Sequence, residues 1–142
     1  MTSLDTSCFV KLCYPEPDSP KAVALVQGKS LCYTLLHDLE FTNALQLKAF
    51  IVGATAAQVK AARGLVAADL KSGTLVSCEV HWEDVLAEAV KLADQLTATL
   101  GARSLDILHC AVARKLGVRE FITTDSRQKK LAVAIGLNVV SL

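Results

Sequence analysis

The side chains in this chain best placed to do chemistry together are four carboxylates, Asp5, Glu40, Asp106 and Asp125. They come from distant parts of the sequence. Carboxylates gathered in one pocket repel each other and raise one another's pKa unless a cation neutralises them. An oxygen-only set with no His or Cys at liganding spacing favours a hard divalent ion, Mg2+ or Mn2+, over zinc. Each acid also has an ordinary structural reading when taken alone. Asp5 or Asp125 then serves as a turn or helix cap, Glu40 as a solvated helix residue, and Asp106 as a first-turn acid favoured by the helix dipole.

Other polar residues accompany the four. Thr6, Asn43 and Thr123 are spaced to hydrogen-bond the carboxylates or ion-bound water, or else to cap locally. Arg103 is a candidate phosphate contact, and Arg127, Lys129 and Lys130 form a short basic cluster for a polyanion, against the alternative of a solvated charged face. His109 lies one helical turn from Asp106 and reads as a packed, hydrogen-bonded histidine rather than a base. The five cysteines, Cys8, Cys13, Cys32, Cys78 and Cys110, include no CxxC pair and read as reduced packing thiols, Cys8 among them.

The elements that must position these residues are marked off by glycine. Gly28, Gly53, Gly73, Gly101, Gly117 and Gly136 each fall where an apolar helical pattern stops, as left-handed caps do. A very short strand is expected around Leu4-Asp5, and Ser19-Pro20 opens a helix running to about Gln27. Ser30–Thr34 reads as a strand, followed by a helix over Leu35–Val52 with Leu36, Leu39, Ala44, Leu47 and Phe50 as its apolar positions. Thr55 to Gln58 resembles a capping box for a helix toward Gly73. Thr74–Val80 is a third strand, and Glu83–Leu100 an amphipathic helix. A helix over Leu105–Leu116 is capped by Ser104, a strand covers Glu120–Thr124, a helix covers Ser126–Ile135, and a strand covers Asn138–Leu142. Strands separated by helices imply a mostly parallel sheet covered on both faces. Ligand sites in such sheets lie beyond the C-terminal ends of the strands, where Asp5 and Asp125 fall.

A chain of 142 residues suits one domain over 1–142. Its hydrophobic fraction of 52% excludes disorder as the main state. No apolar run approaches the roughly 20 residues of a membrane span, and the N-terminus has no basic start or apolar signal segment, so the cytoplasm is the expected location. A net charge of +1 provides no overall basic field, so any polyanion must be held locally, by cations on carboxylates or by short basic clusters.

Four pieces of sequence together resemble the successive signatures of the PIN domain family: Leu4-Asp5-Thr6-Ser7, Glu40-Phe41-Thr42-Asn43-Ala44, Arg103-Ser104-Leu105-Asp106-Ile107-Leu108-His109 and Phe121-Ile122-Thr123-Thr124-Asp125. The order and spacing match over nearly the whole chain, most closely the toxins of VapBC-type toxin–antitoxin pairs. The resemblance implies a three-layer α/β/α sandwich. It also implies an endoribonuclease in which Asp5, Glu40, Asp106 and Asp125 bind Mg2+ or Mn2+, and an ion-activated water cuts RNA to leave a 5′-phosphate and a 3′-hydroxyl. A small antitoxin is the implied partner, and the helices between Leu35 and Gly73 offer a surface for it or for a homodimer. A stand-alone PIN nuclease of RNA processing or DNA repair, and a non-catalytic interaction module, are the competing readings. A phospho-acceptor receiver domain is disfavoured, because paired acids after the first strand and a late lysine at a strand end are both missing.

Overall fold

The computed structural model describes residues 1–141. Along the chain run β1 (Thr2–Leu4), α1 (Thr6–Cys13), α2 (Ser19–Val26), β2 (Leu31–Tyr33), α3 (Leu35–Val52), α4 (Ala56–Ser72), β3 (Leu75–Ser77), α5 (Trp82–Leu100), α6 (Ser104–Lys115), β4 (Glu120–Thr123), α7 (Ser126–Ala134) and β5 (Asn138–Ser141). The strands form one sheet in the order β3-β2-β1-β4-β5, with every pairing parallel. Leu142, the last residue of the strand expected over Asn138–Leu142, lies outside the described residues.

Parallel strands in the middle of a sheet are buried on both faces, and β1 and β2 are buried at every position. Side-chain alternation then splits the core in two. Ile122 of β4 packs with Phe9, Ala22, Phe41, Leu45 and Val66 from α1 to α4. Its neighbour Phe121 faces the opposite way, against Val85, Leu92, Ile107, Val112 and Leu131 from α5 to α7. The result is the expected α/β/α sandwich.

Three local expectations are corrected. Helix α1 was not anticipated. It forms because the Asp5 carboxylate accepts the Cys8 amide at 2.7 Å and Cys8, Phe9, Val10 and Cys13 supply a buried face. Ser104 does not cap α6. Asp106 reaches back to the Arg103 amide at 3.3 Å, which places Arg103 at the cap and Ser104 inside the helix. Finally, α3 buries Leu36 of the predicted stripe and partly buries Ala44, but leaves the rest of it exposed. Leu36, His37, Phe41 and Leu45 face the core, while Leu39 and Phe50 are 66% and 88% exposed. The helix is apolar around most of its circumference, so periodicity alone could not choose its inner face.

The glycine stops are left-handed as expected; Gly53 and Gly101 close α3 and α5 at φ +71° and +63°, where a Cβ would be strained. No helix among the described residues is long and apolar enough to cross a membrane.

Candidate active site

The strand order reverses direction at β1. Helices α1 and α2 carry the chain from β1 to β2 within one layer, and α7 carries it from β4 to β5 within the other. The two crossovers diverge and leave a crevice at the C-terminal ends of β1 and β4, the usual ligand position in an open α/β sheet. Leu4 is in register with Ile122, so Asp5 follows β1 directly beside Thr123 at the end of β4.

Asp5 is almost wholly buried and held from several sides. One oxygen accepts the Cys8 amide at 2.7 Å and the Ser7 hydroxyl at 2.9 Å, and the other accepts the Thr123 hydroxyl. Ser7 in turn meets Thr124 at 2.9 Å. The backbone ahead of Asp5 is fixed as well. The His37 ring accepts the Thr34 amide at Nδ1 (3.2 Å), which leaves Nε2 to donate to the Leu4 carbonyl at 3.0 Å. His37 is fully buried, and burial, reinforced by His109 nearby, pushes its pKa down to about 4. The neutral form that this arrangement needs is therefore the favoured one.

Glu40 is reached from two elements. Thr6 donates its hydroxyl to Oε2 at 2.7 Å, and the buried His109 bonds the same oxygen through Nε2. An ionised carboxylate only accepts, so Nε2 carries the hydrogen. Burial works to raise the Glu40 carboxyl, but the hydrogen bond and charge of His109, with help from Thr6, outweigh it and hold the group below its ordinary value.

Asp106 and Asp125 share a partner. Arg103 places Nε 3.3 Å from Asp106 and Nη2 3.3 Å from Asp125. Asp125 caps α7, accepting the amides of Arg127 at 2.7 Å and Gln128 at 3.3 Å, while its own amide donates to Thr123 at 3.0 Å. Partial burial acts to raise the Asp125 carboxyl. The two amides, then the charges of Arg127 and Arg103, hold it below its ordinary value instead. Gln128 is buried and donates to the Asp106 carbonyl at 3.0 Å, tying α7 to α6.

The PIN domain family model matches residues 3–134. This chain belongs to the PIN domain family. No curated protein sequence matches it. Three solved structures share the PIN architecture at low identity. FitAcB from Neisseria gonorrhoeae matches with TM-score 0.64 and 15% identity, covering 98% of this chain and 96% of that one. VapBC2 from Rickettsia felis, bound to a DNA fragment from their promoter, matches with TM-score 0.65 and 12% identity, covering 99% and 98%. DNA-bound VapBC from Salmonella typhimurium matches with TM-score 0.62 and 12% identity, covering 99% and 96%. At such identity the likeness establishes the fold, and function has to be argued from the site.

PIN domains are generally nucleases that use divalent ions. In this PIN domain the donor set suits such an ion: Asp5, Asp106 and Asp125 offer only oxygens beside the crevice, and a guanidinium cation is already drawn to two of them. As the side chains lie, no group of three or more His, Cys, Asp or Glu among the described residues is disposed to hold a metal ion. Arg103 instead bridges Asp106 and Asp125, Thr123 joins the Asp5 carboxylate to the Asp125 amide, and Glu40 is held separately by Thr6 and His109.

The remaining expected residues separate by position. Thr6 and Thr123 bond Glu40 and Asp5, whereas Asn43 is exposed and has no side-chain hydrogen bond among the described residues. Arg127 and Lys130 are exposed on α7, and Lys129 reaches Ser141 at the C-terminal end of β5 at 3.1 Å. Burial, reinforced by the charge of Asp5, pushes the Cys8 thiol up to about 12, which removes it as a nucleophile. Sequence reasoning missed His37, Ser7, Thr124 and Gln128. Ser7 and Thr124 adjoin the motif acids and were findable; His37 and Gln128 act across the fold and carry no local signal. Farther along the same sheet edge lies a cavity of about 700 Å3 whose walls include Tyr33, Asp38, Arg63, Glu79 and Trp82.

Proposed function

We propose that this PIN domain, a single unit over residues 1–142, is a Mg2+- or Mn2+-dependent endoribonuclease of the cytoplasm, the toxin of a VapBC-type pair. The observation that carries the reading is the hydrogen-bonded set at the switch point, in which Thr123 serves both Asp5 and Asp125 while Arg103 joins Asp125 to Asp106. A bound ion would supply a water of lowered pKa and offset charge on the attacking and leaving oxygens of the phosphodiester.

The protein's own share is to place oxygens and, at Glu40 and Asp125, to favour the ionised form. Asp5 and Asp106 would hold the ion, with Glu40 and Asp125 assisting. Thr123 and Ser7 orient Asp5, and Thr6 with His109 keeps Glu40 as an oriented carboxylate. Arg103, Arg127, Lys129 and Lys130 take the RNA backbone, offsetting the absence of a basic field over the whole chain. Beyond the carboxylates, the half-buried Trp82 ring on the wall of the 700 Å3 cavity gives an unpaired base a stacking surface.

The similar structures are complexes of a PIN protein with a partner, which supports a small antitoxin here. The exposed Leu39, Phe50, Ile51 and Val52 on α3 form the surface for that antitoxin or for a second copy of the chain. One observation favours a different reading, a non-catalytic PIN module: the acids are not disposed to share an ion as they lie.

Incubating unstructured RNA with the protein in Mg2+ or Mn2+ separates the two. The nuclease reading predicts internal cleavage that EDTA stops and that Asp5→Asn and Asp106→Asn lack. Intact RNA under every divalent ion tried, with the protein folded, would favour the module. An inhibitory peptide that co-purifies with the native protein distinguishes a toxin from a stand-alone nuclease.

A further inference from the structure

Arg103 is built into the cap of α6. Its amide is tied to the Asp106 carboxylate, which anchors the backbone, while the side chain remains 59% exposed. Its guanidinium nonetheless lies with one nitrogen on Asp106 and another on Asp125, whose side chains are only 16% and 30% exposed. Two carboxylates drawn from different elements to one guanidinium need a positive charge between them. Among the charged partners of Asp106 in the described residues, Arg103 is the one cation. Asp125 has Arg127 as well, at the longer distance of 3.9 Å.

We propose that Arg103 is a tethered counter-ion that a divalent cation must displace, so that metal binding and release of Arg103 are two sides of one exchange. This rests on the metal-dependent reading above. In the metal-free protein Arg103 holds Asp106 and Asp125 together and keeps the acidic rim from opening by self-repulsion. An ion entering between the carboxylates takes over that role. The freed guanidinium, planar and permanently charged, then becomes available to a phosphate oxygen of the RNA, a ligand its donor fork suits. Cation and substrate binding are thereby coupled through one side chain, and ion affinity is held below what the carboxylates alone would give.

The test is calorimetric titration with Mn2+ of the full chain as wild type, Arg103→Gln and Arg103→Lys, alongside thermal unfolding in EDTA. Both substitutions keep the backbone amide that Asp106 uses. The exchange predicts that Arg103→Gln binds Mn2+ about fivefold more tightly, the scale of one partly exposed ion pair, and unfolds at a lower temperature than wild type in EDTA. Arg103→Lys keeps the charge without the fork and falls between. Equal affinity in wild type and Arg103→Gln, or weaker binding in the variant, overturns the exchange and leaves the metal reading standing. Absence of Mn2+ binding in all three proteins overturns both.

Discussion

Thr123 donates its hydroxyl hydrogen to the carboxylate of Asp5, and the same oxygen accepts the amide of Asp125. One buried side chain at the end of β4 therefore sets the acid at the end of β1 and the acid that opens α7. Replacing Thr123 by valine keeps the shape and removes both bonds. Two polar groups are left short of a partner, for a loss of about 1–3 kcal/mol per buried group, read as a lower urea midpoint. Cleavage should fall about 10- to 100-fold, as for a group that orients a metal ligand. Asp5→Asn should behave oppositely: asparagine caps a helix as well as aspartate, so stability holds while cleavage is lost. Equal losses of stability in the two variants would contradict this division of labour.

His109 holds Glu40 through Nε2, and its Nδ1 has no hydrogen-bond partner among the described residues. The ring is thus committed to one task. His109→Ala should free Glu40 and reduce divalent-ion affinity about 10- to 100-fold, with a cost to folding from the vacated space. Mn2+ titration checks the first effect, and unchanged affinity would show that Glu40 does not need its partner.

The buried His37 makes stability depend on pH with a definite sign. Its folded pKa of about 4 lies below the ordinary value of 6.5, so the unfolded chain takes up a proton that the folded chain refuses. The contribution is intact above pH 6.5 and is lost as pH falls toward 4, by about 3 kcal/mol in all at 1.36 kcal/mol per unit. Urea unfolding at several pH values should show wild type losing this stability relative to His37→Gln. Parallel pH curves for the two proteins would contradict it.

Phe50 is 88% exposed on a helix whose other outward residues include Leu39, Leu47, Ile51 and Val52. A charge there disturbs no core contact, so Phe50→Asp should leave thermal stability within about 0.5 kcal/mol. It should weaken any self-association seen by analytical ultracentrifugation, or binding of the antitoxin where the chain alone is monomeric. Association unchanged by Phe50→Asp would place the interface elsewhere.

The strand and helix sequence, the parallel sheet and the carboxylate positions at its C-terminal edge were readable because each has a local cause. Glycines stop helices, β-branched and aromatic runs make strands, and Asp125 stands at the end of such a run. Helix α1 escaped notice because its signal is only two turns long and begins within a motif valued for chemistry: Asp5 is both the acid at the strand end and the cap. The inner face of α3 was misread because Leu39, Leu47 and Phe50 are as apolar as Phe41 and Leu45, and only the packing of α1 and α4 decides between them. The contacts of Arg103 with Asp125, His37 with Leu4 and Gln128 with Asp106 join residues 22, 33 and 22 positions apart, so the pattern around any one of them says nothing about that partner. Even the four acids, recognisable by order and spacing, did not disclose that Arg103 would stand between two of them.

The central claim is that the acidic rim binds a divalent ion. Anomalous X-ray diffraction from crystals soaked in Mn2+ tests it most directly. The account predicts a peak between the carboxylates of Asp5 and Asp106, with Arg103 turned away. A saturating soak that leaves Arg103 bridging Asp106 and Asp125, with manganese elsewhere or none bound, would contradict it.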